Sequence, residues 1–127
     1  MILILGALLG FISVAFGAYA EHGLREAVTE EHFRFLMTAI RYNQVHAVVI
    51  AAIGQALLNG GKMSNIRALK WSGLLFIIGT VLFSCSIYLS LSFDIPSLVN
   101  ITPLGSMTIM AAWLMLMVAG VLARKKL

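Results

Sequence analysis

The sequence predicts an all-α membrane protein, a four-transmembrane-helix bundle, on three observations. Hydrophobic residues make up 61% of the 127 residues and charged residues only 11%, whereas soluble domains run at about half apolar and a quarter charged. A soluble domain of this length has too little interior to hide that much apolar surface; a bilayer removes the problem by acting as its solvent. The apolar residues gather in four runs, each near the roughly 20 residues that cross the hydrocarbon core. The basic residues sit beside those runs, so a net charge of +4 and a pI of about 9.7 call for no nucleic-acid partner.

The first span covers about residues 1–20 and carries no charge. The second, about 39–58, is the most polar, with Arg41, Asn43, Gln44, His46 and Gln55. The third is about 71–91 and the fourth about 101–123. Residues 21–38 form the longest polar stretch. Thr29 followed by Glu30 and Glu31 reads as a helix start, with an N-cap and acids in the first turn. Phe33, Leu36, Met37 and Ile40 follow at helical spacing, which predicts an amphipathic segment running on into span two. Gly60-Gly61 breaks the second connection, and Asp94 with Pro96 marks a short third one. Pro103 sits early in span four, where a first-turn proline is tolerated. Together the four spans make a single transmembrane domain over residues 1–127.

Orientation follows from Lys and Arg. Lys62, Arg67, Lys70, Arg124, Lys125 and Lys126 fall on one side of a four-span arrangement, and Arg25, Arg34 and Arg41 on the other. Both termini are therefore expected in the cytoplasm and the acidic segment outside. A competing reading is cleavage after Ala18-Tyr19-Ala20, which resembles a small-residue signal-peptidase site. The segment lacks a basic leader and is long for a signal.

Polar groups within a span are the best pointers to function, because lipid makes them costly. Arg41 lies close enough to the boundary to extend to the headgroups. His46 sits five residues further along, roughly 7.5 Å deeper at helical rise, and must face other helices or a wet cavity. Tyr42 and His46 share a face, being four apart. Either His46 is a neutral histidine satisfied by a neighbouring helix, or it handles protons or a ligand. His22, His32, Glu21, Glu30 and Glu31 match no metal motif, so no metal site is expected. Met107, Met110, Met115 and Met117 do not share one helical face, as packing or lipid-facing methionines need not. Cys85 is a lone thiol in an apolar run, read as buried and inert. No nucleophile motif, phosphate loop or dinucleotide fingerprint occurs, so neither catalysis nor a cofactor is expected. Small residues at Gly6, Gly10, Ser13 and Gly17 in span one, and Gly105, Thr108, Ala112 and Ala119 in span four, predict close helix packing. Gly73, Thr80 and Ser84 play that part in span three.

Several strings resemble a known family. GAYAEHGL (17–24), RYNQVHA (41–47), VLFSCSIYL (81–89), ITPLGS (101–106) and AAW (111–113) are similar, in this order, to the signature blocks of the bacterial domain-of-unknown-function 423 family. His22, Arg41, Tyr42 and His46 match its pattern. Tyr19, Ala20 and Glu21 depart from the usual Gly-Ala-Phe-Gly-Ala-His block, and Cys85 stands where a glycine is common. The resemblance implies a small integral inner-membrane protein of unassigned biochemical role, and its first block crosses the supposed cleavage site. Its matching residues name His22, Arg41, Tyr42 and His46 as a candidate polar site.

Three functions fit these readings. The first is a non-enzymatic membrane protein working as a homo-oligomer or as an accessory subunit of another membrane protein. The second is a proton or small-solute channel or transporter using the polar face of span two. The third is a membrane enzyme or metal carrier acting through His22, His32 and the glutamates.

Overall fold

The chain folds as a helical bundle in the computed structural model, which describes residues 1–126. The side chain of Lys126, counted above among the basic residues, lies outside the described ones. Helix α1 spans Ile2–Tyr19. It ends in a π-type turn over Ala20–Leu24. Helix α2 runs unbroken over Glu30–Leu58. Helix α3 (Arg67–Thr80) passes through a second π-type turn at Val81–Cys85 into α4 (Ser86–Ser92). A 3₁₀ turn over Pro96–Ile101 leads into α5 (Thr102–Lys126). Four segments are long and apolar enough to cross a membrane: Ile2–Leu24, Glu30–Leu58, Arg67–Ser92 and Pro96–Lys125.

Local chemistry explains the boundaries. Thr29 has extended backbone, and its hydroxyl accepts the His32 N–H at 3.1 Å, while Glu30 and Glu31 occupy the positive first turn of α2. Helix α2 ends at Asn59, and the turn beyond it needs positive φ at Gly60 and Gly61 (73° and 81°). At 29 residues α2 is roughly 43 Å long. That exceeds the roughly 30 Å hydrocarbon core, and the charges of the helix, Glu30, Glu31, Arg34 and Arg41, all lie in its first half.

The spans lie in the order α1, α2, α3–α4, α5: α1 packs chiefly on α2, and α5 chiefly on α3. The middle two are correspondingly the better buried, 44% and 56% of their apolar windows against 22% and 17% for the flanking spans. Each contact follows helical periodicity. Helix α1 buries Ile2, Gly6, Leu9 and Ser13. Helix α2 buries Leu36, Ala39, Asn43, His46, Ile50 and Ile53. The inner face of α5 carries Gly105, Ile109, Ala112 and Ala119.

Glycines set the two tightest contacts. A Cβ on Gly6 would lie 2.8 Å from the Ala51 backbone nitrogen, and one on Gly54 would lie 2.6 Å from that of Leu3. A Cβ on Gly79 would lie 2.9 Å from the Ile109 nitrogen, and one on Gly105 would collide with the Phe83 backbone. The α1–α2 and α3–α5 backbones thus approach as closely as small-residue interfaces allow. Gly10 meets only the Ala47 side chain at 3.8 Å, and around Gly17 there is open space. Gly17 shares the face of Gly6, Gly10 and Ser13 by helical spacing, but it makes no close packing contact there.

Candidate functional site

Helix α2 carries two polar faces. At about 100° per residue, Asn43 and His46 lie roughly opposite Arg41, Gln44 and Gln55. The first pair is buried against α3, α4 and α5; the other three are exposed on the outer surface of the bundle.

The inner face is a chain of hydrogen bonds and ring contacts, centred on His46. Trp113 of α5 donates its indole N–H to His46 Nε2 at 3.1 Å. Indole nitrogen is only a donor, so Nε2 is the acceptor and the ring proton sits on Nδ1. Nδ1–H then donates to the Tyr42 carbonyl oxygen at 2.7 Å. Both nitrogens are engaged by the neutral tautomer. The imidazole also stacks on Phe76, with centroids 5.5 Å apart, and Trp113 meets Phe76 edge-on at 4.9 Å. His46 is only 5% exposed.

One turn away, Asn43 donates from Nδ2 to the Tyr88 hydroxyl at 3.0 Å. Both residues are fully enclosed, and Phe16 of α1 stacks on Tyr88 with centroids 4.0 Å apart. Ser84 donates to the Ala39 carbonyl at 2.7 Å, tying the π-type turn to α2. Ser86 shares a hydrogen bond with Thr102 at 2.9 Å, tying α4 to α5. Asn43 Oδ1 and Thr80 Oγ1 are buried with no partner.

The sequence-predicted residues divide between these faces. Tyr42 and His46 are neighbours, rings edge-on at 5.8 Å, and Tyr42 stacks on Phe83 at 4.6 Å. Arg41 points away from them on the exposed side. His22 is exposed in the first π-type turn and joins no hydrogen bond found among the described residues. The four therefore do not converge. Trp113, Asn43 and Tyr88 complete the inner seam instead. A mid-span tryptophan, far from the interfacial belt where its N–H finds water, was the available signal for the first.

A helical bundle with four apolar spans and a polar seam buried at its centre defines a polytopic integral membrane protein. A family model described as "Protein of unknown function (DUF423)" matches residues 16–106. The chain belongs to that family. It is 34% identical over 119 residues to the UPF0382 membrane protein YwdK of Bacillus subtilis, covering 94% of each chain. It is 33% identical to the UPF0382 membrane protein SH2409 of Staphylococcus haemolyticus, covering 94% of this chain and 93% of that one. The UPF0382 inner membrane protein YgdD of Escherichia coli is 28% identical, covering 98% of this chain and 92% of its own. No solved structure matches the chain.

Proposed function

We propose that this protein is a non-enzymatic component of a bacterial inner membrane, both termini cytoplasmic, that works as a homo-oligomer joined through its α1–α2 face. One observation carries the reading: Gln44, and Gln55 beyond it, are exposed on the bilayer side of α2 without a hydrogen-bond partner among the described residues. A carboxamide in hydrocarbon without a partner costs several kcal/mol. Being both donor and acceptor, it is satisfied by the same group from a second copy. Beside Gln44 lies a shallow groove of about 350 Å³ whose α1 wall is Gly6, Ala7, Gly10 and Ser13, with Val14 at its edge. Small walls of this kind admit another helix closely. Arg41, on the same face, extends toward phosphate level.

The inner seam supports the non-enzymatic part, since His46 and Tyr88 are spent on intramolecular partners. The alternative, a proton or small-solute pathway along α2, draws less support. Its polar residues point to opposite sides of the helix, and both nitrogens of His46 are in use.

Oxidative crosslinking in native membranes tests the interface. With Cys85→Ser as background, Val48→Cys on the groove should give a disulfide-linked homodimer, and Leu114→Cys on the exposed side of α5 should not. Gln44→Leu should weaken the dimer about 3- to 18-fold, from the roughly 0.6–1.7 kcal/mol of a cross-helix hydrogen bond in membranes. Equal crosslinking at both cysteines, or adducts only with another protein, would reject self-association through this face.

A further inference from the structure

We infer that a second site, at the end of the bundle where the α1–α2 and α4–α5 connections meet, binds a zwitterionic amphiphile. A cavity of about 1100 Å³ opens there, larger than most small-molecule sites. Its apolar wall includes Leu24, Phe83, Ile87 and Val99. Its polar wall holds Arg34, Asp94 and His32, so at neutral pH it carries one fixed cation and one anion. The two are not paired with each other; the ion pair found among the described residues is Arg25 with Glu21. Thr29 and Thr38 also face the cavity, but their hydroxyls are committed to backbone groups.

Two other hydroxyls are uncommitted. Ser90 is 4% exposed, lines the cavity, and has no side-chain hydrogen bond to the protein. The Ser92 hydroxyl oxygen is buried, lines the cavity and has no partner. Buried polar atoms in proteins are ordinarily paired; the Ser92 oxygen is one that is not, and with the uncommitted Ser90 hydroxyl and the two unpaired charges beside it the cavity fits a polar ligand. A head with one positive and one negative charge meets Asp94 and Arg34 together. Its hydroxyl or ester oxygens meet the serines. The volume and apolar wall then require a body of hydrocarbon, supplied either by a membrane lipid or by a free zwitterion with an apolar side chain.

The test uses purified full-length protein in detergent and three probes, measured by calorimetric titration. Dihexanoyl-phosphatidylethanolamine carries both charges, dihexanoyl-phosphatidylglycerol the same tails with the negative charge alone, and phenylalanine is a free zwitterion. The ethanolamine lipid should saturate one site per chain and bind about tenfold tighter than the glycerol lipid, the contrast one charge-assisted hydrogen bond gives. Asp94→Asn should erase that preference; asparagine tolerates the positive φ of 53° at this position, so the loop keeps its shape. Arg34→Gln should weaken both lipids. Tighter binding of phenylalanine than of either lipid would support the site with a free zwitterion as its ligand. Non-saturable uptake of all three probes, or equal affinity for the two lipids unchanged by Asp94→Asn, would overturn the inference.

Discussion

Replacing Trp113 by phenylalanine isolates the contact at the centre of the bundle. An aromatic ring remains to meet Phe76, but the N–H that His46 Nε2 accepts at 3.1 Å is gone. His46 is 5% exposed, so water does not substitute. A net hydrogen bond contributes about 1 kcal/mol, and a buried acceptor left without a donor costs about 1–3 kcal/mol. Cross-helix bonds measured in membranes average about 0.6 kcal/mol and reach about 1.7. The substitution also removes ring volume, so the single variant mixes two effects. A double-mutant cycle with His46→Leu separates them. Unfolding in mixed detergent micelles, followed by helicity, should give a coupling energy of about 0.6–1.7 kcal/mol between the two sites. Nitrogen NMR of labelled histidine should show the proton on Nδ1 of His46. A coupling below roughly 0.3 kcal/mol, the scatter expected of independent sites, or a proton on Nε2, would refute the assignment of donor and acceptor.

Two further outcomes probe the packing around that seam. Gly54→Ala forces a methyl against the Leu3 backbone and should destabilise by about 1–3 kcal/mol; Gly17→Ala meets nothing and should be neutral or stabilising by up to about 1 kcal/mol through helix propensity, both read from the same unfolding curves. Tyr88→Phe leaves the Asn43 amide unpaired and should destabilise by about 1–3 kcal/mol, whereas Asn43→Leu combined with Tyr88→Phe should recover part of the loss, since removing both partners is far less costly than removing one.

The sequence made the membrane class legible because span length and the shortage of charge are properties of single segments. The start of α2 was legible for the same reason: Thr29, Glu30 and Glu31 form a local cap. The polar seam was not. His46 and Trp113 are 67 positions apart, and nothing along the chain reports which of the apolar runs faces α2. Asn43 was visible as a polar residue of span two, but its partner Tyr88 lies 45 positions away near the end of span three, and nothing along the chain says that the bundle buries it. The π-type turn at Val81–Cys85 was hidden altogether, since it lies within an uninterrupted apolar run and has no proline or paired glycines to mark it. The cavity at the end of the bundle was equally hidden, because it is assembled from both connections.

That turn acts as a phase shifter. A π-type turn adds a residue to the winding of an otherwise regular helix, and each residue of winding is about 100° of rotation. The faces of α3 and α4 are therefore out of step with what one straight helix would present. With one residue fewer, Tyr88 would swing away from Asn43 and Phe16. Within the same turn, the Phe83 backbone lies against α5 where Gly105 stands. The irregularity, the facing glycine and the buried tyrosine form one packed unit, in which straightening the turn would disturb the contacts of both the others.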